Sequence, residues 1–232
     1  MLEVEIIETV PLKKGDYKAV LGFAGAGFIG STAVMFISRS KGFKQIACIR
    51  SPHIPPMTLI IDGVPTPSFR IYLDDVNGLI FLVTESLIPA EGCWPIAKEL
   101  LKWLKEKGVK EIYSLDGLPF SASSPEIKVL GYSNKIDLSG FGIPLLREGA
   151  VTGLDSCLME ECVEKGITYV SLFIPTNKLT SIDYIGSANA IDVLNKLFKL
   201  GVDSSPLKII DESIKKAAVK KPSGFSRIFG KN

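Results

Sequence analysis

Residues Gly22 to Gly30 read Gly-Phe-Ala-Gly-Ala-Gly-Phe-Ile-Gly and follow directly on the apolar run Tyr17 to Leu21. Glycines placed this way let a strand turn sharply and a helix pack close to the sheet, which commits the chain to a layered α/β arrangement. Gly25, Gly27 and Gly30 satisfy G-x-G-x-x-G between the predicted strand and a predicted helix over Ser31 to Ser40, the context that the dinucleotide-binding motif requires. In such a motif, backbone amides and the helix dipole receive a pyrophosphate. The motif also wants an acidic residue about 20 positions later to hold the ribose. Here the next apolar run, Gln45 to Ile49, is followed by Arg50, Ser51 and Pro52, so a cofactor reading through Gly25, Gly27, Gly30 and Arg50 points to a 2′-phosphate carrier such as NADP. The competing reading is that the glycines serve packing and bind nothing.

Short β-rich runs alternate with helical periodicity along the rest of the chain, the signature of an α/β fold whose sheet is mostly parallel with helices on its faces. Strands are predicted near Tyr17 to Phe23, Gln45 to Ile49, Leu79 to Thr84, Glu111 to Leu115 and Thr168 to Ile174. Thr58 to Ile61 and Phe69 to Leu73 read as an antiparallel hairpin bent around Val64-Pro65-Thr66-Pro67 and lying near an edge. The segment Trp94 to Lys107 puts Ile96, Leu100, Leu101 and Leu104 on one face and stops at Gly108, as a glycine-capped amphipathic helix does. Val151 to Lys165 repeats the design, with Leu154, Leu158 and Cys162 inward and Glu160, Glu161 and Glu164 on the solvent face. Two further helices are predicted over Ala188 to Leu200 and Pro206 to Val219. The organisation expected is one α/β domain over residues 1–219, then a flexible basic tail over 220–232 that opens on Pro222, Ser223 and Gly224.

Composition narrows the function classes. With 46% hydrophobic and 22% charged residues, 232 residues can bury a substantial core. No stretch reaches the roughly 20 consecutive apolar residues of a membrane span, and the start Met1-Leu2-Glu3-Val4-Glu5 is acidic where a secretory leader would be basic, so the expected location is the cytoplasm. Cys48, Cys93, Cys157 and Cys162 lack C-x-x-C spacing and read as buried thiols, not a zinc or redox centre. Residues 1–214 carry 21 basic and 25 acidic side chains, whereas 215–232 hold six basic and none acidic. A basic tail suits an acidic surface. The body has no basic stripe interleaved with aromatics, so a protein partner is expected before nucleic acid.

No catalytic set assembles from recognisable motifs. His53, the single histidine, lies in the proline-stiffened loop Arg50 to Pro56, but no G-x-S-x-G elbow presents a nucleophile to it. Asp74, Asp75, Glu85, Glu91 and Asp116 follow strands or loops without a spacing that selects a pair, and read as solvated carboxylates. No G-x-x-x-x-G-K-[ST] loop occurs. A binding role, with no metal and no cofactor, is the expectation.

Gly22 to Gly30 also resembles the G-F-x-G-x-G-x-x-G opening of the proteasome assembly chaperone 2 family and its archaeal relatives. Gly92 to Gly108, Leu115-Asp116-Gly117, Pro144 to Leu154 and Gly201-Val202-Asp203 resemble it too, in order, so that the likeness covers about residues 3 to 210. The glycine turn and Glu148-Gly149-Ala150-Val151-Thr152-Gly153-Leu154 are its most specific pieces. The resemblance implies a phosphorylase/hydrolase-like α/β fold with no catalytic site shared across the family. It implies homo-oligomers that bind proteasome α subunits or the 20S core, alone or beside a paralogous chaperone. It further implies a tail that inserts between α subunits through a hydrophobic-tyrosine-any ending. Phe225, Ile228, Phe229 and Gly230 are the counterparts here, with phenylalanine in place of tyrosine and Lys231-Asn232 displacing the carboxylate by two residues. Relatives have been labelled ATP-grasp enzymes; the basic residues and magnesium ligands of such a site are not recognisable in this chain.

Overall fold

Two strands buried along nearly their whole length organise the molecule, seen here in a computed structural model that describes residues 3–119 and 128–219. In chain order the elements are β1 (Glu5–Glu8), β2 (Tyr17–Phe23), α1 (Ile29–Ser40), β3 (Lys44–Arg50), β4 (Thr58–Ile61), β5 (Val64–Pro67), β6 (Phe69–Asp74) and β7 (Leu79–Thr84). They continue as α2 (Ala90–Lys107), β8 (Val109–Pro119), β9 (Leu130–Ser133), α3 (Gly153–Glu164), β10 (Thr168–Thr176), α4 (Tyr184–Phe198) and α5 (Ser205–Val219). Eight strands form one sheet in the order β1-β3-β6-β7-β2-β8-β10-β9, and β4 and β5 pair apart from it. The four strands β7, β2, β8 and β10 pair in parallel, and the antiparallel pairings lie outside them. All six residues of β7 are buried, as expected of a strand covered on both faces.

Successive strand residues point to opposite faces, so β2 feeds two cores. Ala19, Leu21 and Phe23 pack with Ile96, Leu100 and Leu104 of α2 and Leu158 of α3, while Val20 packs with Val34 and Ile37 of α1 and Ile191 and Leu194 of α4. A three-layer α/β/α arrangement results. The chain leaves β2 through α1 toward β3 on one side of the sheet, and leaves β7 through α2 on the opposite face to reach β8 on the other side. The winding reverses at β2. α2 stops at Gly108, whose φ of +92° suits glycine and whose missing Cβ leaves room for Gly15 O, 2.1 Å from where that Cβ would stand.

Several expectations need correction. The hairpin does not span Thr58 to Leu73: β4 and β5 close it through Asp62 and Gly63, both at positive φ (51° and 79°), a two-residue turn that Asp-Gly favours. Phe69–Asp74 instead lies inside the main sheet between β3 and β7. Its Arg70 is fully buried and is neutralised by Glu85, which accepts from Nη1 at 3.0 Å and Nη2 at 2.5 Å; Tyr72 Oη accepts from Nε at 3.0 Å. Glu161 is buried, not solvent-facing, and is held by Lys165 one turn on. β1 and β9 are four-residue edge strands without a strand pattern of their own in the sequence. The four cysteines are free thiols and all are buried.

Candidate functional site

The glycines of the opening motif are committed to packing before any ligand is considered. A Cβ on Gly22 would lie 2.3 Å from Gly30 O, and one on Gly30 would lie 2.4 Å from Leu115 O, so these two let α1 rest directly on β2 and β8. Gly27, at φ +67°, backs onto the segment leading into α4: its carbonyl accepts from Asp183 N at 2.8 Å. Asp183 in turn caps α4, accepting from Gly186 N at 3.0 Å, and accepts from Thr176 Oγ1 at 2.7 Å. Gly25 faces the other way. The place of its missing Cβ is 2.7 Å from Asp116 Oδ1. A carboxylate therefore stands where a pyrophosphate-binding turn would need room for negative charge. Arg50 does not join the turn; it is exposed at the end of β3, three strands and about 14 Å from β2, beside a separate hollow formed with Pro52, Pro55 and Pro65.

Gly25 and Asp116 belong to a cleft of about 410 Å³ over the carboxyl ends of β2, β8 and β10. Clefts at this end of parallel strands, where the winding reverses, are where open α/β sheets bind ligands. Phe23, Leu87, Leu154 and Phe173 make its apolar wall; Ser86, Thr152 and the backbone of Gly117 and Gly153 add polar groups. Three stretches far apart in sequence meet here: the glycine turn, Leu115-Asp116-Gly117, and Ala150 to Asp155.

The floor carries two carboxyl groups. Asp155, in the first turn of α3, is only 8% exposed, and its Oδ1 accepts from Tyr169 Oη at 3.2 Å. Burial, and after it the charge of Asp116, pushes the Asp155 carboxyl well above its ordinary range. Asp116 is pushed up to about 6 by burial, against a backbone hydrogen bond from Gly117 that favours its anion. Tyr169, fully buried, is raised by burial and then by Asp155. Neither carboxyl has a Lys, Arg or His partner among the described residues.

The other candidates separate. His53 Nε2 lies 2.5 Å from Glu3 Oε1, outside the cleft. Asp74 is buried and closes its own turn, accepting from Val76 N, Asn77 N and Asn77 Nδ2, and Glu85 serves Arg70, so neither is the solvated carboxylate expected. Asp75 and Glu91 are exposed. No group of three or more His, Cys, Asp or Glu converges on a metal position among the described residues. Phe225, Ile228, Phe229 and Gly230 lie outside the described residues. Asp155 escaped the sequence reading, although a signal was there: it stands three residues before Leu158 and seven before Cys162, inside the inward stripe of α3, where a carboxylate is out of place.

Residues 19–220 match the PAC2 family. The chain belongs to the PAC2 family. A crystal structure of Pyrococcus furiosus PbaA, described as an archaeal homolog of proteasome-assembly chaperone, superposes with a TM-score of 0.85 at 27% identity, over 94% of this chain and 90% of that one. P. furiosus PbaB, described as an archaeal proteasome activator, shares the fold at 20% identity, with a TM-score of 0.81 over 95% of this chain and 99% of that one. An uncharacterized protein of Methanocaldococcus jannaschii is 27% identical over 204 residues, 86% of this chain and 83% of its own length. Of the PAC2 pieces recognised in the sequence, the glycine turn, Asp116-Gly117 and the end of Pro144 to Leu154 border the cleft, whereas Gly92 to Gly108 and Gly201 to Asp203 are not part of its lining.

Proposed function

We propose that this PAC2 protein is a cytoplasmic, non-catalytic chaperone that acts as a homo-oligomer on proteasome α subunits or the core particle, alone or beside a paralogous chain. The observation that carries the reading is the likeness to PbaA along nearly the whole chain. A surface suited to protein contact accompanies it. On the α1 face a groove of about 870 Å³ is floored by Phe28, Met35 and Phe36 and walled by Met57, Ile182 and Leu207. Met57 and Ile182 are 44% and 40% exposed, and neighbouring Leu179 is 56% exposed. Flexible methionines among aromatic and aliphatic groups suit a surface that repacks against a partner. Such a surface would cover α-subunit faces that are bare before assembly and release them when the final interface forms. The tail residues Phe225, Ile228, Phe229 and Gly230 are proposed as a second anchor.

The test is affinity capture with the tagged full-length chain from a lysate of its own organism, with bound chains identified by mass spectrometry. Proteasome α subunits in the eluate are the expected result, and their absence overturns the reading. Ending the chain at Lys221 should then reduce recovery of α subunits; undiminished recovery removes the tail from the mechanism while leaving the groove.

A further inference from the structure

We propose that the cleft between the glycine turn and α3 binds an organic cation, an ammonium or guanidinium group on an apolar stem, with Asp116 and Asp155 as its counter-ions. Nothing in the chaperone reading requires this site, and the proposal does not rest on that reading.

Three observations converge on that ligand. The first is a nearly buried carboxyl without a cationic partner. Asp155, 8% exposed, accepts from Tyr169 through Oδ1, receives no hydrogen bond on Oδ2 from the described residues, and lines the cleft. Buried carboxylates are normally hydrogen-bonded on both oxygens or paired with a cation. Elsewhere this chain follows the rule, as Glu85 with Arg70 and Asp211 with Lys178 and Lys215 show.

The second observation is the shape of the charge. Asp116 stands against Gly25, so the cleft repels phosphate and carboxylate ligands at the point where its glycine turn would otherwise attract them. A hard metal ion would want about six oxygen ligands, more than two aspartates supply. Phe23, Leu87, Leu154 and Phe173 present instead an apolar wall beside the acidic floor. That lining matches a molecule with one charged end and a short hydrocarbon body, and the volume is in the range of small-ligand pockets.

The third is the titration of the pair. Burial raises both carboxyls, Asp116 to about 6 and Asp155 well above its ordinary range, so protons compete with a cation for the pair on the acid side of neutrality. The other titratable groups that act on the pair are Tyr169 on β10 and Cys93 on α2, both raised by burial and therefore neutral at working pH. Affinity should accordingly rise with pH, by about tenfold between pH 5 and pH 8 from Asp116 alone.

The test is isothermal titration of the full-length chain with putrescine, agmatine and the blocked amides of lysine and arginine, with 1,4-butanediol as the uncharged control. The expected result is saturable binding of at least one cation at pH 8, weakened by about tenfold or more at pH 5, and no binding of the diol. Asp155→Asn and Asp116→Asn, each checked for an unchanged circular dichroism spectrum, should both weaken it. Should Asp155→Asn not fold, Asp116→Asn and the pH series carry the test. Free amines binding alone would assign a small molecule, and the blocked amides binding would assign a side chain of a partner protein; either supports the site. No saturable binding at pH 8, or binding unaffected by both substitutions and by pH, overturns it.

Discussion

Replacing Asp116 by asparagine removes a charge that the fold holds at a disadvantage. Burial moves this carboxyl from an ordinary 3.8 to about 6. The folded state thus holds the proton more tightly than the unfolded chain, so stability falls as pH rises from about 4 to about 6 and is level beyond. The difference, about two pH units at ~1.4 kcal/mol each, amounts to about 3 kcal/mol at pH 8. Water entering the open cleft lowers it, so a gain of about 1 to 3 kcal/mol is expected for Asp116→Asn at pH 8, roughly 2 to 12 °C in Tm for a chain of this size. Asparagine preserves shape and the hydrogen bond from Gly117. The assay is a set of thermal and urea melts of both proteins at pH 4, 5, 6, 7 and 8. The curves should coincide at the acid end and diverge through pH 6, with the variant the more stable. Parallel curves, or a variant less stable at pH 8, would refute the assignment of a half-buried, cation-free carboxylate.

The remaining predictions concern the frame around the cleft. Gly117→Ala would set a Cβ 2.0 Å from Ala26 O, and urea melts should show a loss of about 2 to 3 kcal/mol; an unchanged midpoint would mean that the glycine turn is not packed as described. Arg70→Met should cost about 3 to 5 kcal/mol because Glu85 and Tyr72 lose their buried partner, and adding Glu85→Gln should recover much of it; additive losses would deny the pair. Asp211 is held below the ordinary carboxylate range by Lys178 and then Lys215, so its contribution is present at neutral pH and lost as pH falls below about 4. Asp211→Asn should therefore cost about 1 to 3 kcal/mol at pH 7 and progressively less toward pH 3, which melts across that range would check.

What the sequence revealed and what it hid follow from where each signal was stored. β2 and β7 were legible to the residue because their apolar runs are bounded by turn residues and need no partner to be recognised. β1 and β9 have four residues each, Glu-Ile-Ile-Glu and Leu-Gly-Tyr-Ser, and are strands only because β3 and β10 offer them an edge. β6 is misplaced by a local reading because its sheet neighbours, β3 and β7, and the Glu85 that neutralises Arg70 just past the end of β7, are brought to it by the fold and are not encoded in the run itself. The cleft shows the same division. Its glycine turn is a local pattern and was visible; the opposition of Gly25 and Asp116, and the coupling of Asp116 to Asp155, depend on neighbouring strands and on α3.

That distinction bears on how glycine motifs are interpreted in this family. Gly25, Gly27 and Gly30 meet every spacing requirement of a dinucleotide turn, yet each glycine has a separate structural reason: room for Asp116, a left-handed bend against the α4 segment, and close approach to Leu115. The spacing records the geometry of a strand turning into a helix, which phosphate-binding and non-binding proteins share. What a turn binds is set by the charge facing its amides, and here that charge is negative. The turn also has two sides. Gly25 and Ala26 border the acidic cleft on the α2 and α3 face, and Phe28 floors the apolar groove beside α1. The helix layers keep a small ligand in one and a protein in the other from competing for space, while this single turn is the wall that both would touch.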